Sequence, residues 1–498
     1  MPTDLQQLLE IVYLQKCVDD EKLTQENIVI ARDYYAGEQN VPLTELQKKF
    51  LGFNESEPRF ALNYCKGIVD ASTERLIVTA FTSDDEDFAV WCWDVWADNR
   101  MDAKQAAVHH DAINDGETFI MVEWPEDAEF PLLLPHPRYT DPEVDGDGYG
   151  CKAKHIEGDP NLPLEYVSKR WTESALNDKG RRTTVRRMTL YYPDRIEKYI
   201  AGTSDESGWD KYYESEADSE GNTTTLPWPI PWKQADGSPI GIQWAVPRKP
   251  DGLPELWNAI PLQDAINKDA LAIISTVNIT GFPIRLTYGW LATTDGKDPE
   301  ADGSNYLDLH PGAWVNINTS STKSPGSQVV KTETLEPGDI ETLQSALDSW
   351  IMKLAQVTDT PISRFQMTRQ VAAEGTLKQQ DEPLLAKTRL YATQLGNGWE
   401  DVFYIARNIA RYKGITVSGE EDSLLTTQWK PLEVRDEKEL LETATLKAGL
   451  GVPLETLWGE MGYDADAIAK MALAREQELL DQSNVGGQLL EAFERGGF

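Results

Sequence analysis

The sequence has little basic charge, few cysteines and no long uncharged apolar run. Its 498 residues include 47 Lys and Arg against 83 Asp and Glu, which gives a formal net charge of −36. A surface this acidic excludes a protein that coats nucleic acid by neutralising phosphates, and it disfavours docking on anionic membranes. The length exceeds what one hydrophobic core usually fills, so two or more packed units are expected.

The cysteines indicate the redox compartment, and the apolar segments indicate whether the chain crosses a membrane. The four cysteines stand singly, without the spacing of a zinc knuckle or a redox motif, at Cys17, Cys65, Cys92 and Cys151. A reducing compartment is therefore expected. No basic cluster precedes the first apolar stretch, so no signal peptide is visible. The longest apolar helix candidate, residues 260–279, carries three charged side chains, and a membrane span is not expected.

Motifs for catalysis and metal binding fail at their defining positions. The only Gly-Lys pair, Gly296–Lys297, is not followed by Ser or Thr, so the phosphate-binding loop of nucleotide hydrolases is absent. Two acidic turns begin like calcium loops, but Lys152 and Leu309 stand where a bidentate Glu is required. Both turns are interpreted as solvated, with weak divalent-cation binding as the alternative. We expect no catalytic residue, no cofactor and no metal ligand.

The 16 tryptophans allow two interpretations. Together with the acidic surface they are compatible with a carbohydrate-active protein, an acidic Trp-rich hydrolase acting on a glycan. Tryptophan is more often used in cores and in contacts between subunits, and this is the favoured interpretation.

The centre of the chain follows a helix, β module, helix plan. Helices are predicted from about Pro261 to Thr280 and from Pro337 to Thr358. Apolar residues spaced by three and four give each helix one packing stripe: Leu262, Ile266, Ala270, Ile273 and Val277 on the first, and Ile340, Leu343, Leu347, Trp350 or Ile351, Leu354 and Val357 on the second. Between them, residues 283–288, 306–309, 313–318 and 328–332 are predicted strands. We expect the helices to lie side by side with the β module at their far end.

The flanking regions mix helices and strands, so the predicted fold class is α+β. Before the centre, helices are predicted at residues 23–35, 62–76, 85–97 and 101–115, and strands at 118–124, 132–134 and within 182–200. After it comes an aperiodic segment at 363–373, then a long helix at 375–413 with bends expected at Pro383 and at Gly396–Gly398. Further helices are predicted at 436–448, 453–461 and 464–481. Residues 361–414 hold eight Lys and Arg against five Asp and Glu, between two acidic regions.

Short motifs are spread along nearly the whole chain: Arg32–Gln39, Asn63–Leu76, Leu190–Tyr199, Ile260–Asn267, His310–Trp314, Asp359–Pro361, Glu374–Leu384, Trp429–Pro431, Ala448–Leu450 and Glu460–Tyr463. In this order they resemble motifs of the portal proteins, or head–tail connectors, of long-tailed bacteriophages. The Glu374–Leu384 segment departs from the family's Ser-Gly-Glu-Ala-Leu helix start, because residues 372–377 read Ala-Ala-Glu-Gly-Thr-Leu.

The resemblance implies a multi-domain α+β portal fold that is assembled as a ring. Mapped onto this sequence, it implies a wing at residues 1–250, stem helices at 251–281 and 336–360, and a β-rich clip at 282–335. A channel loop would follow at 361–374, then a long, bent wing helix with a return strand at 375–435. An α-helical crown with a mobile tail would occupy residues 436–498.

The same resemblance implies a non-catalytic role. A dodecamer would surround a channel at one capsid vertex, through which double-stranded DNA is packaged and later ejected. Its partners would be the terminase large subunit, the major capsid protein, a head-completion adaptor or neck protein, and a scaffold protein. It would assemble in the cytoplasm of the bacterial host and reside in the virion. Arg364 and Arg369 would contact DNA from the channel loop, or would instead pair with acids of neighbouring subunits.

Overall fold

A computed structural model describes the fold of most of the chain. The described residues are 25–39, 41, 62–140, 149–158, 162–176, 182–202, 208–217, 223–288, 312, 314–317, 331–335, 338–365, 374–419, 423–433, 437–461, 463, 468, 470–475 and 477. They form two compact units. The sheet unit contains residues 72–253 and 385–498 together with 1–25, and the helix-pair unit contains residues 26–71 and 254–384. Both units contain helices and strands, which confirms the α+β class.

The helices fall close to the predicted positions. They are α1 (25–36), α2 (Cys65–Thr73), α3 (Glu86–Asp98), α4 (Met101–Asn114), α5 (Ile260–Gly281), α6 (Ile340–Val357), α7 (Glu374–Lys413), α8 (Glu437–Gly449) and α9 (Leu454–Glu460). Of the last predicted helix, residues 470–475 are helical and most of the remainder lies outside the described residues. None of the helices in the described part of the chain is long and apolar enough to cross a bilayer.

Most of the strands belong to the sheet unit. They are β1 (Val78–Ser83), β2 (Phe119–Glu123), β3 (Leu132–His136), β4 (Tyr149–His155), β5 (Leu164–Leu176), β6 (Arg182–Tyr191), β7 (Arg195–Ala201), β8 (Asp210–Lys211), β9 (Ser215–Ala217), β10 (Thr223–Thr225), β11 (Ile230–Pro231), β12 (Trp244–Ala245) and β16 (Leu425–Trp429). The largest sheet has the order β11-β7-β6-β5-β4, with β8 also paired to β7. Smaller sheets join β12-β2-β3, β1-β16 and β9-β10. The predicted strand segment 182–200 therefore consists of two antiparallel strands joined at a turn.

An aromatic core closes the sheet unit around α3. Asp85 caps the helix by accepting from the amides of Asp87 and Phe88 at 3.0 and 3.4 Å, and apolar residues at three- and four-residue spacing are buried behind this cap. Trp96 meets Trp399 of α7 with ring centroids 4.8 Å apart. The core tryptophans thus support the interpretation that favoured packing over a glycan platform.

The long helix runs without interruption through both predicted bend sites. Pro383 and the Gly396–Gly398 segment lie inside α7, which is one helix from Glu374 to Lys413; the bends themselves stay a prediction. The glycine at 398 has a packing role. A Cβ at this position would lie 2.7 Å from the Cα of Pro247, so the backbones approach more closely than any side chain allows.

A buried histidine connects three segments of the sheet unit. The His109 ring is fully buried on α4, its Nδ1 lies 3.0 Å from the carbonyl oxygen of Leu76, and its Nε2 accepts from the Trp399 indole at 2.9 Å. The Nδ1 atom therefore carries the proton of a neutral ring. Burial lowers the pKa of His109 to about 4, well below its ordinary value of about 6.5.

The depressed pKa predicts a specific acid sensitivity. Between about pH 6.5 and 4 the unfolded chain binds a proton at this position and the folded chain does not, so the stability that neutral His109 contributes is lost as the pH falls. We expect His109→Gln to flatten the pH dependence of the melting temperature in this range. His110→Gln, at the adjacent half-buried position, is the control. Equal slopes for wild type and His109→Gln would contradict the prediction.

Candidate functional site

The helix pair and its small sheet match the predicted central plan. Helices α5 and α6 pack against each other, and a Cβ at Gly338, just before α6, would lie 3.9 Å from the hydroxyl of Thr276 near the end of α5. The two helices therefore run side by side in opposite directions. Beyond this end, β13 (Arg285–Tyr288) pairs parallel with β14 (Trp314–Ile317) and antiparallel with β15 (Lys331–Thr334). The fourth predicted strand, 306–309, lies outside the described residues.

The predicted packing stripes are buried to different extents. On α5, Ile266 is fully buried, Leu262 and Ile273 are half-buried, and Val277 is 51% exposed. On α6 the C-terminal half holds the core, with Leu354 fully buried. Ile351 is also buried, whereas Val357, at the end of the predicted stripe, is 53% exposed. The remaining members of the α6 stripe are half-buried: Ile340, Leu343, Leu347 and Trp350. Within one chain, the helix pair is thus packed at one end only.

Apolar side chains remain exposed along the other half of the pair. Ile274 and Val277 of α5 are 37% and 51% exposed, and Phe282, just beyond α5, is 67% exposed. Met352 and Val357 of α6 are also exposed, but they lie at the packed end of the pair. Scattered exposed apolar residues are ordinary on a protein surface, but a group at one end of a helix pair indicates an interface. The surface formed by Ile274, Val277 and Phe282 is called the stem surface below.

Two amides that the apolar pattern did not single out are the most buried polar residues of α5. Gln263 and Asn267 are completely buried. The Asn267 Oδ1 accepts from the backbone amide of Leu62 at 3.0 Å, and the Gln263 Oε1 accepts from that of Tyr64 at 3.2 Å. The Gln263 Nε2 donates to the Leu62 carbonyl at 2.6 Å and to Asn267 Oδ1 at 3.1 Å. This amide clasp fixes residues 62–64 on the helix.

Two side chains near the amide clasp, Tyr34 and Cys65, are held neutral. The Tyr34 hydroxyl donates to Asp264 at 2.6 Å, and burial followed by that hydrogen bond raises the tyrosine pKa. Burial, and then the charge of Asp264, raises the pKa of the neighbouring Cys65 thiol to about 12. A thiol with such a pKa is not a nucleophile at neutral pH, so the cysteine is structural.

The end of α6 leads into the segment that carries the predicted channel residues. Asp359 has a left-handed φ of 51°, and the amide of Thr360 donates to Ala355 at 3.0 Å, a common way to end a helix. A short 3-10 turn, Ile362–Arg364, follows, and Phe365 packs edge-on against Tyr64 with centroids 5.6 Å apart. Arg364 lies exposed at the end of this turn. Arg369 lies outside the described residues.

The described residues contain no group of three or more His, Cys, Asp and Glu side chains placed to hold a metal ion. Of the predicted packing positions, Ile266 and Leu354 are the two that are fully buried in the helix pair. Sequence periodicity missed the amide clasp because glutamine and asparagine count as solvent-facing in such a pattern. Their four-residue spacing, on the same side as buried Ile266 and Leu271, was the available signal.

The described residues include a helix pair that ends in a small β module, and the chain that contains it is strongly acidic. A family model described as "Phage portal protein, SPP1 Gp6-like" matches residues 14–479 of the 498. No curated protein matches the chain. The chain belongs to this family of phage portal proteins, and its function is that of a portal in the capsid. The family is structural rather than enzymatic, with roles in the capsid and in DNA packaging, and nothing found supports the glycan hydrolase.

The amide clasp generates a stability prediction. Gln263→Leu keeps the side-chain size but removes the hydrogen bonds of Gln263 to the Tyr64 amide and to the Leu62 carbonyl, which keep only their contact with each other at 3.0 Å. Each lost hydrogen bond costs about 0.5–1.5 kcal/mol, so we expect a clear fall in the free energy of unfolding, measured by denaturant titration. Asn278→Leu, at a half-buried position of the same helix, is the control. An equal effect in both variants would show that the amide clasp contributes no specific stability.

Proposed function

We propose that this chain forms a ring, a dodecamer in the capsid, that conducts double-stranded DNA during packaging and ejection. The observation that carries the proposal is the stem surface, an exposed apolar group at one end of a helix pair whose other end is packed. In a ring, each stem surface meets a neighbouring copy and loses its contact with water, which favours assembly. The family membership supports an oligomer with capsid and packaging partners in general.

The domain assignment is proposed on the same basis. The helix pair α5 and α6 is the stem, and the sheet β13–β15 at its end belongs to the clip. The clip presents exposed side chains on β15 and is proposed to dock the terminase large subunit and then the head-completion adaptor. Residues 1–250 and 375–435 form the wing, 361–374 the channel loop, and 436–498 the crown. The major capsid protein and a scaffold protein complete the proposed partners at the vertex.

The channel loop is proposed to touch DNA weakly. The chain as a whole carries −36 and therefore repels a duplex, which keeps DNA mobile because each neutralised phosphate adds affinity. The turn before the loop exposes Arg364, and Arg369 follows in sequence. Repeated in every subunit, these arginines would make short-lived phosphate contacts that slow backsliding. Pairing with acids of the neighbouring subunit is the alternative role for them.

A charge on the stem surface tests the ring. Val277→Asp changes a residue that is 51% exposed in the single chain, so the fold tolerates it, but assembly would bury an unpaired carboxylate. We expect mass photometry and negative-stain images to show far fewer rings. Gln344→Asp, at an exposed polar position of α6, adds the same charge as a control and should assemble normally. A wild-type protein that remains monomeric at every salt concentration would overturn the proposal.

Removing both arginines tests the channel contact. Arg364→Ala with Arg369→Ala should leave the ring intact but reduce the yield of full-length packaged DNA or its retention, measured by nuclease protection in assembled particles. The control removes two exposed arginines of α7, Arg389→Ala with Arg411→Ala. If the channel variant packages and holds DNA like wild type, the two arginines have no role in DNA contact.

A further inference from the structure

The largest sheet is basic although the chain is strongly acidic. Its four long strands β4, β5, β6 and β7 carry nine Lys and Arg and only three Asp and Glu. Subtracting these from the chain's 47 and 83 leaves 38 basic residues against 80 acidic ones elsewhere. Positive charge is therefore concentrated on one sheet. The linear sequence conceals it, because acidic loops separate the strands.

The register of the strands divides these cations between the two faces of the sheet. On the face toward buried Trp244, Arg187 forms an ion pair with Glu173 at 2.6 Å and is only 13% exposed, and Lys198 pairs with Glu214. On the other face, Arg170, Met188, Tyr199 and Lys211 form one row across four strands. Met188 and Tyr199 are buried there in a small apolar cluster, so the cations lie around that cluster. These cations define the cationic face: Lys152, Lys154, Arg170, Arg186, Arg195 and Lys211.

Aromatic rings lie beneath several of these cations. The Arg186 guanidinium lies 5.5 Å from the ring centroid of Trp209, and the Lys211 ammonium lies 3.9 Å from that of Trp228. The Arg195 guanidinium lies 3.9 Å from the ring of Tyr192. These contacts hold the charges in place while leaving them accessible, since Lys211 is exposed and the Arg195 side chain is 37% exposed. Arg, Tyr and Trp are also the residues that dominate protein–protein interfaces.

The arrangement favours a protein partner over nucleic acid. Bases stack on open aromatic faces, whereas here cations already cover the rings of Tyr192 and Trp228. Carboxylates lie among the cations, with Glu165 at 3.3 Å from Lys154 and Glu197 at 2.7 Å from Arg195. Because charges of both signs lie on this face, its attraction to the uniformly negative phosphates of nucleic acid is weakened. The same pattern of charges can align a protein partner in one position.

A complementary surface occurs on α3 of the same unit. Its outward side carries Asp87, Asp94 and Asp98, all exposed, around Val90, which is 56% exposed. The spacing of three, four and four residues places these side chains on one stripe. An apolar centre with an acidic rim has the composition of an interface.

We propose that the cationic face docks on the acidic side of α3 in a neighbouring copy of this chain. The inference rests on the proposed ring, because a closed ring joins two different patches of identical subunits. Each copy carries both patches, and their opposite charges set the register of the contact. Exposed charges are screened by salt, with a Debye length of about 8 Å at physiological ionic strength, so this contact should weaken as salt is added.

A charge swap tests the pairing. Reversing the cationic face, with Lys152→Glu and Lys211→Glu, should lower ring formation roughly tenfold at moderate salt, the scale of losing a few coupled charges. Reversing α3, with Asp94→Lys and Asp98→Lys, should do the same. A chain that carries all four changes restores the opposite charges and should recover rings. Lys104→Glu with Lys430→Glu, at exposed positions in the same unit, is the matched control.

The outcomes separate this inference from the ring itself. If wild type forms rings and the reversed variants form them equally well, or if the four changes give no recovery, the docking inference is wrong and the ring stands. If wild type forms no rings, the proposed function fails. A last measurement follows the binding of a labelled DNA duplex by fluorescence anisotropy. Binding by wild type that is lost in the lysine variant, with unchanged rings, would overturn the docking inference in favour of a DNA surface.

Discussion

The amide clasp is the interaction on which the helix-pair unit depends. Gln263 and Asn267 lie inside the packed side of α5, where an apolar side chain would be the usual choice. Gln263 both donates and accepts, and the Asn267 Oδ1 accepts, so the pair satisfies both backbone groups of Leu62 and the amide of Tyr64. A buried polar network of this kind fixes one arrangement, because any shift along the helix leaves its members unsatisfied. The clasp thereby determines which side of α5 is left for other contacts.

Much of the fold could be predicted from periodicity, and the errors have physical causes. The bounds of α5 and α6 were accurate because their apolar residues recur at helical spacing over five turns. The degree of burial along that stripe was not predictable, since Val277 and Leu354 look alike in sequence and differ only in which neighbours the fold supplies. The close contact of the glycine at 398 with Pro247 was likewise not predictable, because it depends on a segment distant in sequence.

The cationic face illustrates a second limit. Lys152, Arg170, Arg186 and Lys211 are distant in sequence and come onto one face of the sheet only through strand register. A net charge of −36 also hides them in any average over the chain. Under the proposed function, this division of charge lets one protein combine repulsion of DNA with attraction between subunits. The net charge of the whole chain therefore governs its solubility and its repulsion of DNA, whereas the local charge of each patch governs contacts between subunits.

The core of the sheet unit has a consequence for synthesis. Trp96 and Phe81 lie in the first part of the chain, but the rings that cover them, Trp399 and Phe403, belong to α7. A ribosome must translate residues 254–384 of the helix-pair unit before that core can close, so the early aromatic surface stays open on the nascent chain until α7 is made. Such surfaces are sites of aggregation and of chaperone binding. The sheet unit can therefore close only after translation has passed α7 and β16, the strand that pairs with β1.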